Sequence, residues 1–484
     1  MRKRFEQQLT IGRLLIEDTE IPTAKRSGAL PALFAALKEI YVTPKWNNKV
    51  FEIMESKILP KNNKTGRPGL DLWQIFVLAQ VRMCLNISYD QLHYMANSDK
   101  LLRQIMGIET KYDFEKENIG YQRIIDNVGL LDDEMVKNLN NLIVEFGHDV
   151  FKKKEATALR LKTDSFVVES NVHFPTDYNL LWDSARKCID LITQFQEKHH
   201  ITGWRKINDW RSDLKNKMRA LGRANASGGK GKQDRLHTST LNYLNKAKTF
   251  YNKIVILKVN FPQKDPTDFI MMMELEGFME LLKKHIDLLE RRVIKGEKIP
   301  HDEKMFSIFE QYTEWITKGK MHPNVELGKK SSITTDQFNL IVDYLVMENQ
   351  ADSEIVPELA ERILPVYSVK SWSFDKGYWH KDNKQILSQA VETLILPKKG
   401  KRNKAETEEE HRPLFKKFRH KHSAVESNIN ELEHRGLNRC PDRGYQNFKR
   451  YIGLAVSAYN LRKIGQQLLA NQCQPKASAR QKAA

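Results

Sequence analysis

The chain has 484 residues, 40% hydrophobic and 29% charged, which suits a globular, soluble protein of two to four domains and excludes a disordered or fibrous one. Its formal net charge of +18 favours a polyanionic partner, most simply nucleic acid. Cys84, Cys188, Cys440 and Cys473 lie too far apart for a zinc finger or a disulfide framework, and no run reaches the roughly 18 apolar residues of a membrane helix.

The basic N-terminus is not followed by an apolar stretch of signal-peptide type, so a cytoplasmic location is expected, on the nucleoid when the partner is DNA. Residues 1–60 are only loosely periodic and are expected to bind DNA or support dimerisation. A polar, basic linker follows, punctuated by Gly66, Pro68 and Gly69. Helical periodicity begins at Asp71 with Leu72, Ile75, Phe76, Ala79 and Met83, and it breaks at Asn86. Ser88 with Gln91 three residues on forms a capping box for the next helix, and a short helix ends at Gly107. Residues 61–150 are therefore expected to be a helical domain, either helix-turn-helix-like or a plain helical bundle.

The pattern then changes. Leu159 and Leu161 alternate with Arg160 and Lys162, and Phe166-Val167-Val168 follows, predicting a strand through Asp164. Residues 151–178 thus open an α/β domain, and 179–300 read as an all-helical insertion after its first strand. Strands are expected at 305–309, 325–333, 339–347, 367–374 and 393–396, a helix at 353–364, and a long helical stretch at 413–470. The α/β domain resumes over 301–465, and 466–484 is expected to be a basic, disordered tail.

Three acidic residues stand out by position. Asp164 lies within a predicted strand, and Asp375 ends another, where ligand sites of open α/β sheets gather. Glu426 sits beside the apolar stripe Val425, Ile429, Leu432 of a helix. Two-metal phosphoryl transfer needs such carboxylates, because Mg²⁺ prefers hard oxygen ligands.

The segment Thr163 to Asp177 (TDSFVVESNVHFPTD) resembles the first-aspartate region of DDE transposases from bacterial insertion sequences. Ser373 to Tyr378 (SFDKGY) resembles their second-aspartate motif, and Glu314 to Lys320 with Val325 to Gly328 looks like the segment before the second and third strands. His422 to Gly444 and Tyr459 to Leu461 resemble the glutamate helix and its sequel, while Gly66 to Gly69 with Ile87 to Leu92 resembles their N-terminal helical domain. The nearest branch is the "not classified yet" group, ISNCY. The resemblance spans roughly residues 60–465. It implies a multidomain α/β protein with an RNase H-like catalytic domain, a mixed five-stranded sheet flanked by helices.

It further implies that Asp164, Asp375 and Glu426 are the catalytic and metal-binding triad, holding two Mg²⁺ or Mn²⁺ ions. The implied enzyme binds terminal inverted repeats, cuts double-stranded DNA at the element ends and joins the 3′-hydroxyl ends to target DNA. It would act as a homodimer or larger synaptic assembly, without a nucleotide cofactor and without a membrane. An RNase H-fold nuclease lacking strand transfer, or a catalytically silent DNA-binding protein, would share many of these features. Many relatives carry arginine one turn before the glutamate, where this chain has His422. Many carry lysine seven residues after it, where this chain has Glu433 with His434 and Arg435 beside it.

The remaining DNA-contact candidates are cationic. They are Arg67 in the linker, Lys230 and Lys232 in a glycine-rich loop, Lys376 beside Asp375, the run Lys398, Lys399, Lys401, Arg402, and Arg419 on the glutamate helix. The glycine-rich loop fails the phosphate-loop pattern, because Gln233 stands where Ser or Thr is needed and Ala226 where the first glycine is needed. Glu169, Asp177 and Asp183 lie near Asp164 in sequence and are expected in turn and capping roles more often than at a metal. Trp204, Arg205, Trp210 and Arg211 offer stacking on unpaired bases or aromatic packing, with packing favoured.

Overall fold

The computed structural model describes residues 4–5, 7, 11–23, 28–58, 69–112, 117–152, 157–317 and 324–481, with backbone alone for 473–481. In chain order the elements begin with α1 (Leu30–Val42), α2 (Pro44–Ile58), α3 (Leu72–Leu85), α4 (Tyr89–Ser98), α5 (Lys100–Ile105), α6 (Tyr121–Val128) and α7 (Asp133–Val150). Then come β1 (Leu159–Ser170), α8 (Asp177–His199), α9 (Ile207–Ala226), α10 (Lys232–Leu257), α11 (Pro266–Leu289), β2 (Glu314–Thr317), β3 (Val325–Thr335) and β4 (Ile341–Val346). The chain continues through α12 (Val356–Ile363), β5 (Val369–Phe374), α13 (Lys381–Ala390), β6 (Thr393–Ile395), α14 (Lys404–His411), α15 (Pro413–Leu432), β7 (Arg439–Cys440) and α16 (Tyr445–Gln481). It divides into two compact units, one of Met1–Asn171 with Ile316–Ala484, the other Val172–Trp315.

The first unit is built on a mixed sheet in the order β2-β3-β1-β5-β6, with β4 also pairing β3 and β7 also pairing β1. β1 runs antiparallel to β3 and β3 antiparallel to β4, whereas β5 is parallel to β1 and β6 parallel to β5. β1 is central because both its faces are covered. Leu159, Leu161 and Thr163 are buried by alternation, and Phe166, Val167 and Val168 are all buried in succession. One core cluster joins Leu159 and Leu161 to Trp372 and Phe374 of β5, to Val356, Leu359 and Ile363 of α12, and to Leu387 of α13.

The helices α1–α7, expected to form separate segments at 1–60 and 61–150, belong to the same compact unit as the sheet. The reason is α16, which packs on α1, α3 and α7. At Gly465 an added Cβ would stand 1.6 Å from the Ala32 carbonyl oxygen, so α1 and α16 meet backbone to backbone. Asn460 of α16 accepts from Ile341 N (2.8 Å) and donates to Ile341 O and Asn140 Oδ1 (both 2.9 Å), fastening α16 and α7 to β4. The capping boxes at Asp71/Gln74 and Ser88/Gln91 both form. Every residue of α3 from Leu72 to Cys84 is buried, so this helix cannot lie in a DNA groove.

The second unit holds α8–α11 around a core that includes Trp204, Phe195, Phe250 and Leu282. It corresponds to the insertion expected at 179–300. Trp204 is buried, and Trp210 packs against Phe250 with ring centroids 5.6 Å apart, the packing alternative to base stacking.

Three expectations need correction. Residues 305–309 form no strand, because the Ser307 hydroxyl accepts from Phe309 N (3.2 Å) and Glu310 N (3.0 Å) and curls the chain into a turn. The stretch 413–470 is not one helical run: a π-helical turn at Glu433–Leu437 and strand β7 interrupt it, where Gly436 takes φ +109°. Finally, α16 continues to Gln481, into the segment expected as a disordered tail, although Pro475 lies within it and removes one backbone donor.

Candidate active site

The register of the two central parallel strands places the aspartates. Thr163 of β1 pairs with Phe374 of β5, and the next residue in each chain is Asp164 and Asp375. Both pairing residues are anchored. The Trp372 indole donates to Thr163 Oγ1 (2.8 Å), and Thr163 shares a 2.7 Å hydrogen bond with Thr334 of β3. Asp164 is half-buried and Asp375 exposed. Helix α15 packs on β1 and β5 through a stripe that includes Phe415, Val425 and Ile429, which leaves Glu426 exposed beside it.

The three carboxylates sense one another. Burial pushes the Asp164 carboxyl up to about 7; the Ser165 N–H opposes this from 2.7 Å, and the negative charges of Asp375, Glu426 and Asp352 reinforce it. The donor set is therefore hard, anionic oxygen whose mutual repulsion a divalent cation would relieve. As placed, no three His, Cys, Asp or Glu side chains among the described residues stand close enough to enclose an ion. The carboxylates lie within electrostatic reach of Asp164 rather than in shared contact.

Asp352, which the sequence did not single out, belongs to this site. It follows β4, accepts from Ser165 Oγ (2.7 Å), and pairs with Lys330 Nζ of β3 at 2.8 Å. Gly377 makes room for it, since a Cβ there would stand 2.9 Å from Asp352 Oδ2. Tyr378, buried beneath, shares a 3.2 Å hydrogen bond with Ser332. With a lysine of its own, Asp352 is charge-balanced where Asp164 is not. The only signal available in sequence was an acidic turn before a helix, which is common.

The other expected residues separate into two groups. Lys376, Lys399, Lys401 and His434 are exposed, with no ion pair among the described residues. The others are held within the protein. Lys398 pairs with Glu406 (2.7 Å) and Arg402 with Glu410 (2.8 Å), while Arg419 lies 3.8 Å from Glu410, because the acidic run folds as α14 against the basic one. Arg435 donates to the Cys84 carbonyl at the end of α3 (3.0 Å). His422 is buried, its Nδ1 bonded to Ser373 Oγ (2.7 Å), and burial pulls its pKa down to about 4 against the raising effect of Asp375. At neutral pH it is an uncharged link between α15 and β5 rather than a cation for phosphate.

Lys230 and Lys232 are exposed in the second unit, where Arg235 ties their loop by donating to the Lys230 and Gly228 carbonyls. Arg67 lies outside the described residues. Asp177 pairs with Arg292 (2.7 Å), and Asp183 with His173 (2.6 Å) and Arg186 (3.4 Å), which are structural roles. Glu169 is half-buried on β1.

Comparison with protein-family models, with curated proteins and with solved structures returns no match for this chain. No helix among the described residues is long and apolar enough to cross a membrane.

Proposed function

We propose that this protein is a DDE-type transposase with an RNase H-like catalytic domain. The observation that carries the proposal is the meeting of Asp164 and Asp375 at adjacent parallel strand positions, with Glu426 presented by the helix packed on those strands. A mixed sheet flanked by helices, interrupted after its first strand by the unit Val172–Trp315, agrees with the motif order read in the sequence. Asp164, Asp375 and Glu426 would hold two Mg²⁺ or Mn²⁺ ions. When bound, such ions supply activation of the attacking oxygen and stabilisation of the leaving one.

The chain's own residues would do the rest. β1 and β5 fix the two aspartates relative to each other, and α15 carries the third carboxylate within electrostatic reach of Asp164. Exposed Lys376, adjacent to Asp375 in sequence, offers a cation to the DNA backbone. Hydrolysis of one phosphodiester at each element end would leave a 3′-hydroxyl, and attack of that oxygen on a target phosphodiester would join element to target as the P–O bond to the target strand's own 3′-oxygen breaks, that oxygen leaving as a new 3′-hydroxyl. Two ends must meet, so a dimer or larger assembly is expected.

The test supplies duplex DNA carrying the native element end, intact or pre-cut to a 3′-hydroxyl, with Mg²⁺. Cleavage of the first and joining of the second support the proposal. Cleavage without joining indicates a nuclease, and binding without cleavage indicates a DNA-binding protein.

A further inference from the structure

The second unit contains a cavity of about 360 Å³ that the proposed chemistry does not use. Its size lies at the small end of ligand pockets, roughly 300–1,000 Å³, room for one heteroaromatic unit and not for a duplex. Leu180, Leu288 and Ile299 contribute apolar lining. Aromatic rings form one side: Trp315 meets Phe174 and Phe306 with centroids 5.5 and 5.6 Å away, and Phe174 is 58% exposed. Arg292 and Lys304 also line the cavity, against the single carboxylate of Asp177, so one positive charge is left over.

His285 points to a ligand. It is 1% exposed, it lines the cavity, and neither ring nitrogen has a hydrogen-bond partner among the described residues. Burial pulls its pKa down to about 4, helped by Lys284, so at neutral pH one nitrogen donates and the other accepts. Buried polar groups are rarely left without partners. A nucleobase edge carries donors and acceptors of the kind missing here, its faces suit the aromatic side, and a phosphate suits the surplus cation.

We infer that this cavity binds a single nucleoside phosphate unit, the base between Trp315 and His285 and the phosphate at Arg292 and Lys304. The unit is either a free mononucleotide or the unpaired terminal nucleotide of a DNA strand. The inference is independent of the triad.

The experiment is calorimetric titration of the full chain in EDTA with deoxynucleoside 5′-monophosphates, a short 5′-phosphorylated single strand, a blunt duplex and inorganic phosphate. One mononucleotide, or one strand end, is expected to bind per chain. The affinity should fall about tenfold or more in Trp315→Ala, from loss of stacking. Lys304→Ala, an exposed position that should leave the fold intact, should weaken binding and flatten its salt dependence. Binding of both ligands indicates a free nucleotide site, whereas binding of the single strand alone assigns the source to DNA. Failure of both the mononucleotides and the single strand to bind at millimolar concentration, equal competition by inorganic phosphate, or unchanged affinity in both folded variants would overturn the inference.

Discussion

Asp164 and Asp375 are the residues immediately beyond the last parallel pairing between β1 and β5, that of Thr163 with Phe374. Two like charges at neighbouring strand positions repel, and Asp164 registers this together with its burial by holding its proton up to about pH 7. The arrangement costs stability unless a cation is supplied, and that cost leads to the predictions that follow.

Without divalent ions, the contributions of Asp164 and Asp343 to stability should decline as pH rises from about 4 to 7, while those of His285 and His422, whose pKa values burial pulls down to about 4, rise over the same range. Asp164 and Asp343, the latter pushed up to about 6 by burial against the pull of Arg362, both bind protons more tightly in the folded chain than in the unfolded one. Their contribution is complete below the unfolded value near 4 and is lost as pH passes through the folded values. Asp164→Asn should therefore raise the Tm by several degrees at pH 8 in EDTA and change it little at pH 4. An equal shift at both pH values would show that the carboxyl is not perturbed.

Mg²⁺ or Mn²⁺ should raise the Tm of the wild-type protein at pH 8, because a ligand bound only by the folded state stabilises it. Asp164→Asn and Asp375→Asn should each abolish most of that increment. The same increment in all three proteins would place the ion elsewhere.

Arg82 of α3 makes a bidentate pair with Asp442 (3.0 and 2.6 Å), and both side chains are nearly buried, at 5% and 12% exposure. Asp442→Leu leaves the guanidinium buried without its partner and should cost about 3–5 kcal/mol. Adding Arg82→Met should recover much of the loss in urea unfolding. Failure of the second substitution to recover any stability would mean that the pair matters through shape rather than charge.

Gly465→Ala should cost about 1–3 kcal/mol, since the new methyl meets the Ala32 carbonyl oxygen where α1 and α16 touch. Gly277→Ala, in the exposed face of α11 with nothing within 4 Å, should instead gain about 0.5–1 kcal/mol. Calorimetric scans of the two variants against wild type read both signs.

Local patterns proved the most legible. The Ser88/Gln91 capping box, the strand through Asp164 and the strand ending before Asp375 were all readable, because alternation, caps and strand ends are written in adjacent residues. Features set by distant residues were not. Asp352 reaches the site through Ser165 and Lys330, and a sequence carries no mark of that contact. Lys398 and Arg402 of the basic run looked free for DNA until α14 folded Glu406 and Glu410 onto them, whereas Lys399 and Lys401 stay exposed. His422 looked like a cationic neighbour of Glu426, yet it is buried against Ser373.

The most direct test of the central claim is Mg²⁺-dependent cutting of a labelled duplex bearing the native element end, comparing wild type with Asp164→Ala, Asp375→Ala, Glu426→Ala and Asp352→Asn. The three triad variants should bind the duplex but not cut it, whereas Asp352→Asn, which loses only the lysine-balanced neighbour, should keep measurable activity. Cutting that survives in any triad variant, or a wild type that binds the end and never cuts it, would contradict the claim.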